Sequence, residues 1–370
     1  MKLQALSPIH VGTNKEFDVL EYLSVKGLLV VADDERLVET MAHVGALEMF
    51  NADLIATMRS KTTTLLSILK THGLWNSKGI ASIEAYRVKK DYALDNEKKY
   101  SIRQFMRTPD YLPYIPGSSI KGAIRTAVLY GILKKAKEEN EQKFDYTFVS
   151  KFEEALRITP KRKMNRAASE FERILQTYPL TRDSRPSPNT DIMRAVRISD
   201  TAPLDKDALE LRKVHIFNKG KDAHELQKMG IHLECIPAGS TLEFDCTINK
   251  TILADFEAVG TGSLPFRKES DLVKACETFS RDLWEFESSY FESERECTRI
   301  YDFYRSGKGT IRLGAGSGLA ATTIFMLMPE SKRHLYRQAY DRYTEGMPTS
   351  RKVVIENDAP STVLGWGTLS

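Results

Sequence analysis

The chain has 370 residues, 41% of them hydrophobic, and sets 54 Lys and Arg against 50 Asp and Glu for a net charge of +4. That is long enough for two ordinary domains and apolar enough to bury sizeable cores. There is no run of eighteen apolar residues, Pro8 and His10 interrupt the start, and the cysteines (Cys235, Cys246, Cys276, Cys297) are too few for a disulfide framework. A membrane span and a secretory signal are therefore not expected, and a reducing cytoplasm is.

The opening reads as a short strand through Leu3, Ala5 and Leu6, broken at Ser7-Pro8, with a turn cluster at Gly12-Thr13-Asn14. Val19 to Ala32 predicts a hairpin, because two apolar runs flank Lys26-Gly27 and Gly27 supplies the positive φ of a tight turn. Helical spacing follows through Met41, Val44, Leu47, Leu54, Met58, Leu65, Leu66 and Leu69, with Gly73 just past its end. Residues 76–112 are polar and basic and read as a strand with long excursions. Tyr111 to Gly117 extends the chain with two prolines, and Ser118-Ser119 then opens a helix that closes at Lys134, Lys135 and Lys137.

Residues 140–190 are rich in charge, and Thr181 to Pro188 reads as a loop or exposed arm. Met193–Ser199 and Leu242–Ile248 predict strands by alternation, which puts Cys246 in the core as a small apolar residue. Asp271 to Tyr301 predicts one long amphipathic helix, with Leu272, Cys276, Phe279, Leu283, Phe286 and Tyr290 inward and an acidic outer face. After the glycine loop Gly314–Gly318 come an apolar run (Leu319–Met328), a basic strand (Arg351–Ile355) and a terminal Leu364-Gly365-Trp366. The irregular alternation of strands and helices favours an α+β fold over a regular doubly wound sheet.

Charge is segregated along the chain. Residues 151–197 hold 11 basic against 6 acidic side chains, and residues 255–296 hold 11 acidic against 5 basic. A positive face for a polyanion fits this pattern, and so do two solvated helix faces.

Two segments carry the features of a phosphate site. In Ile115–Arg125 the free N–H groups of a helix start at Ser118 and Ser119 face a phosphate favourably, Lys121 and Arg125 project from one face, and Gly122 permits close approach. The same features describe a serine-capped helix with no ligand. In Arg312–Gly318, Gly314, Gly316, Ser317 and Gly318 offer backbone N–H groups beside Arg312. It is neither a Walker A loop, since Gly309 follows Gly307-Lys308, nor a dinucleotide fingerprint, since Leu319 stands at the third glycine. His232 and Cys235 with Cys246 lack the paired spacing of a zinc site, so neither metal nor cofactor is expected. His10 has the chemistry of a general base toward a ribose 2′-hydroxyl and equally that of a packed or polar-contact histidine.

Taken together, Leu6–Gly12, Ile115–Thr126, Arg312–Ala320, Ser350–Ile355 and Leu364–Trp366 resemble, in order, the motifs of the repeat-associated mysterious protein (RAMP) superfamily of CRISPR systems. The ending is similar to the branch found at the guide 3′ end of type III-A (Csm) complexes. The resemblance implies a ferredoxin-like, RRM-type core with large insertions, in two lobes at 1–200 and 201–370. It implies binding to the 3′ region of CRISPR RNA near target RNA, contacts with a backbone RAMP subunit and a small helical subunit, and a part in guide maturation that admits host nucleases. No catalytic aspartate can be placed and Lys26-Gly27-Leu28 lacks the stacking aromatic of an RRM, so a non-enzymatic, phosphate- and ribose-binding role is expected. The candidate contacts are Ser118, Ser119, Lys121, Arg125 and the loop Gly314, Gly316, Ser317 and Gly318, with His10, Arg194, Arg197, Arg351 and Lys352 behind them. The rivals are a metal-independent endoribonuclease using His10 and a structural adaptor with little RNA contact.

Overall fold

In the computed structural model, the structure describes residues 1–60, 63–150, 153–154, 190–218, 230–259, 264–334 and 350–370. Most of the basic stretch 151–197 and the whole Thr181–Pro188 segment lie outside the described residues. The described chain is a mixed α+β fold built on a four-stranded sheet, a small pair of strands and a large branched sheet.

The four-stranded sheet joins both ends of the chain. β1 (Lys2–Ala5) pairs on one side with β10 (Thr241–Glu243) and on the other with β15 (Trp366–Leu369), which pairs β12 (Ile311–Arg312), all antiparallel. Leu3 and Ala5 point inward and their neighbours outward, as a half-buried strand requires. Two long helices, α5 (Gly117–Glu139) and α8 (Glu269–Phe291), pack together beside it. Tyr130 lies on Phe279 with ring centroids 4.8 Å apart and donates its hydroxyl to Asp282 at 2.7 Å. Trp284 meets Trp366 at 4.6 Å and donates to the Tyr304 carbonyl at 2.7 Å, which ties α8 to β15 and to α9 (Thr298–Ser306).

The large sheet runs β2 (Gly12–Glu16), β6 (Ser101–Phe105), β9 (Ile231–Cys235), β8 (Glu210–Asn218), β5 (Glu84–Lys89), β4 (Leu28–Ala32), β3 (Tyr22–Val25). It branches at β8. Glu210 at the start of β8 reaches Lys89 of β5, and the end of the same strand, from Val214 to Asn218, pairs antiparallel with β13 (Ser350–Glu356), which pairs in turn with β14 (Ala359–Val363). The β3–β4 hairpin turns through Lys26 (φ 32°) and Gly27 (φ 79°), as its sequence predicts. Behind it, α1 (Asp34–His43), α2 (Leu47–Ser60), α3 (Leu65–Thr71) and α4 (Ser77–Ile83) close a separate small core that includes Leu23, Met41, Phe50, Leu65 and Ile83.

Several expectations are corrected. Leu242–Ile248 is not one strand. Phe244 N donates to the Met1 carbonyl and the Phe244 carbonyl accepts from Met1 N, whereas Asp245 bonds Ser199, so β10 stays with β1 and β11 (Cys246–Ile248) joins β7 (Val196–Ile198). Cys246 is consequently half-buried rather than in the core. Residues 192–195 form a 3-10 turn before β7. The Asp271–Tyr301 helix stops at Phe291, and a short 3-10 turn separates it from α9. Residues 76–112 hold α4 and two strands, and the apolar run after the glycine loop is the short α10 (Gly318–Thr322) and a 3-10 turn. Each sheet takes strands from both sides of residue 200.

Candidate nucleic-acid interface

Three of the sequence segments meet in space. Leu6 and Ser7 donate their N–H groups to the Trp366 carbonyl, and Trp366 N donates to Ser7 Oγ at 3.0 Å. Gly365 N donates to the Pro8 carbonyl and its own carbonyl accepts from Leu313 N. Ala315 N donates to the His10 carbonyl at 2.8 Å. The opening segment, the glycine loop and the chain end are thus stitched through backbone groups, which explains why glycines are needed there. Gly314 (φ 67°) and Gly316 (φ 89°) adopt backbone that L side chains avoid. A Cβ on Gly314 would stand 2.0 Å from the His10 carbonyl oxygen, and one on Gly316 2.9 Å from the Leu364 Cβ.

The loop forms one wall of a cleft of about 440 Å³. Gly314 to Ala320 line that wall, Ser350, Arg351 and Lys352 of β13 line the other, and Ile216 of β8 and Glu287 of α8 complete it. Ile216 is 47% exposed. Ser317 is buried and turns its hydroxyl back onto the Gly314 carbonyl at 2.8 Å, so it shapes the loop.

Under the cleft lies a buried ionic triad that sequence reading missed. Arg351 Nε donates to Glu287 Oε1 and Oε2 at 3.0 and 2.8 Å, and Arg312 Nη1 stands 3.0 Å from Oε2. The three side chains are 7%, 2% and 1% exposed, respectively for Arg351, Glu287 and Arg312. Burial pushes the Glu287 carboxyl up, and the guanidiniums of Arg351 and Arg312 outweigh it, so its pKa lies below the ordinary carboxylate value. Arg351 also sits over the Tyr290 ring at 4.1 Å, and Arg312 Nε donates to the Leu364 carbonyl at 3.3 Å. Arg351 therefore supports the cleft wall from behind. The signal was present: Glu287 follows Leu283 by four and precedes Tyr290 by three, which puts a carboxylate on the apolar face of α8.

His10 is 5% exposed and packs edge-on to Phe105 at 6.0 Å. Its Nδ1 donates to the Glu234 carbonyl at 2.7 Å, and because a carbonyl only accepts, Nε2 is the lone-pair nitrogen. Burial lowers its pKa to about 4, with nearby Arg103 and Lys352 acting in the same direction against the Glu234 bond. A Cβ at residue 12 would stand 2.5 Å from Nε2, so Gly12 leaves room for the ring.

The helix opening is placed elsewhere, and its first N–H is taken by a carboxylate of the chain. Gly117 N donates to Asp200 Oδ1 at 2.8 Å, and a Cβ there would meet the Ile198 and Ser199 carbonyl oxygens at 2.4 and 2.5 Å. A carboxylate of the chain thus occupies the anion-attracting end of α5. Lys121 Nζ donates to the Val196 carbonyl at 2.7 Å, and Arg125 Nη1 pairs with Asp191 Oδ2 at 2.5 Å. Burial, the largest influence, lowers the Lys121 pKa. These two cations fasten α5 to residues 191–196 and are not among the residues that line the cleft. Ser118 is exposed and Ser119 partly so. Arg194 and Arg197 are exposed on and before β7, away from the cleft lining.

A family model described as the RAMP superfamily matches residues 2–346. The CRISPR system Cms protein Csm5 of Methanocaldococcus jannaschii is 22% identical over 99% of this chain and 87% of its own length. The protein of the same name from Streptococcus thermophilus is 24% identical over 88% of this chain and 79% of its own. Among solved structures, a chain of a cryo-EM Csm–crRNA–target RNA ternary complex of a type III-A CRISPR-Cas system superposes with a TM-score of 0.70 at 22% identity, covering 100% of this chain and 99% of that one. The crystal structure of T. onnurineus Csm5 superposes with a TM-score of 0.67 at 22% identity over 100% of both. With the family model spanning nearly the whole sequence, the chain belongs to the RAMP superfamily.

Proposed function

We propose that this chain is an RNA-binding subunit of a type III-A (Csm) CRISPR effector complex, that it seats the 3′ region of the guide RNA, and that it serves guide maturation and complex assembly rather than cleaving RNA itself. One observation carries the reading: the glycine loop, held by backbone hydrogen bonds to the opening segment and the chain end, shares a single cleft with the basic strand, and Lys352 is among the residues that line it. Glycines admit a sugar–phosphate backbone closely, Lys352 supplies charge, and exposed Ile216 gives a ribose or base edge an apolar contact. The names and assemblies of the relatives point the same way. The finer fold reading, a pair of ferredoxin-like lobes with large insertions, belongs to the same proposal, as do the backbone and small helical subunits, target RNA and host nucleases as partners and the cytoplasm as location. Among the described residues no helix is long and apolar enough to cross a membrane. His10, buried and bonded to the sheet, is given a structural part.

The test is the salt dependence of guide-RNA binding. Lys352→Glu lowers the magnitude of the slope of log K against log salt by about 0.7 or more, the share of one single-strand phosphate contact. An unchanged slope and affinity would favour the adaptor reading. RNA cleavage that disappears in His10→Ala would favour the endoribonuclease.

A further inference from the structure

We propose that the groove between α5 and α8 is a docking surface for an acidic, amphipathic segment of a neighbouring protein subunit. The groove encloses about 640 Å³ and shares no lining residue with the cleft. Its lining carries five basic against two acidic side chains, which sets the sign of what it attracts. Two of the five are committed within the chain: Lys134 to Asp282 at 2.6 Å and Arg267 to Glu257. The other three are loosely held. Lys135 and its partner Glu139 stand 3.9 Å apart, both more than 60% exposed, and Arg281 stands 3.7 Å from Asp282. Lys274 is exposed, with no ion pair at contact distance among the described residues. Of the two acids, Asp271 is engaged in capping α8, where it accepts from Arg267 N at 2.9 Å.

Geometry points to a protein rather than a nucleic acid. On α5, Val128, Gly131, Ile132 and Lys135 share one face by helical spacing, and on α8, Lys274, Thr278 and Arg281 do. The floor between these rows is aliphatic, and its one aromatic residue, Phe266, is 2% exposed, so no ring is offered for a base to stack on. An apolar floor under a basic rim matches a segment with an apolar stripe and acidic flanks. Gly131 lies on the groove face. It stands inside a 23-residue helix, where glycine disfavours the helix, and a Cβ there would meet no described atom within 4 Å. A larger side chain at this position would project into the groove.

The proposal rests on the reading of this chain as a subunit of a multi-protein complex, which is checked separately by whether the wild-type chain co-purifies with its co-encoded subunits. Each of those subunits is then titrated against the full-length chain and two variants. Lys135→Glu with Lys274→Glu is expected to weaken one subunit at least tenfold and to reduce the salt dependence of that binding. Gly131→Leu, which suits a helix better, is expected to block the same subunit while leaving the melting temperature unchanged or raised. Guide-RNA binding by the chain stays as in wild type for both. A photo-reactive residue at Thr278 in the assembled complex should capture an acidic stretch of that subunit. Co-purification with subunit affinities unchanged in both variants overturns the groove and leaves the complex reading intact. Capture of RNA from position 278, or of nothing, overturns the protein occupant.

Discussion

Glu287 carries two guanidiniums, and its removal would leave both buried without their carboxylate. Glu287→Ala is expected to destabilise the chain by about 3–5 kcal/mol, the usual cost of breaking a buried pair. Glu287→Gln keeps the shape and loses the charge, so it should fall between wild type and alanine in urea unfolding. If alanine costs no more than a surface substitution, the triad does not hold the cleft. Histidine gives a second residue-scale expectation. His10 and His232 have pKa values lowered to about 4 from 6.5, in both cases by burial first. The unfolded chain therefore binds more protons than the folded one between about pH 6.5 and 4, and stability falls as pH drops through that window. Each histidine contributes at most about 3 kcal/mol of that loss. Replacing His232 with Asn should flatten the pH dependence of the melting temperature between pH 4 and 6.5, and an unaltered curve would deny His232 that role.

At the scale of elements, the glycine loop acts through its backbone. Gly314→Ala forces a Cβ against the His10 carbonyl and a side chain into positive φ, so a loss of at least about 1–3 kcal/mol is expected, with guide binding weakened in step. Gly318 shares the positive φ of 68° but its Cβ would meet no described atom within 4 Å, so Gly318→Ala should be milder. Comparing the two in one binding and melting series separates close packing from backbone strain. The helix opening shows where local sequence runs out. Pro116, Gly117 and the serines do start α5 where the sequence says. What the sequence could not show is that Asp200 and residues 191–196, more than sixty positions away, would occupy the helix end and its cations. Long-range partners decide whether such an end is a site, and periodicity carries no information about them. The same limit explains the Leu242–Ile248 strand: alternation is real, but Phe244 pairs Met1 while Asp245 pairs Ser199, partners far along the chain.

Across the whole molecule, what was legible is the set of local devices: the β3–β4 hairpin, the turn glycine at 73, the inward face of α8 and the glycine loop. Their assembly was not legible, because β1, β10, β12 and β15 come from positions 2 to 369 and only pairing across the chain unites them. Glu287 shows the same divide on a smaller scale, its place on the apolar face readable and its two arginine partners not. The cleft is the product of that closure. The most direct measurement is cross-linking of the purified effector complex carrying guide RNA with 4-thiouridine at single positions, followed by mapping of the linked peptides. Cross-links from the 3′ part of the guide to peptides holding Gly314–Ala320 or Ser350–Lys352 are the predicted result. Cross-links from the 5′ part of the guide to those peptides, or 3′ cross-links that fall only on other subunits, would contradict it.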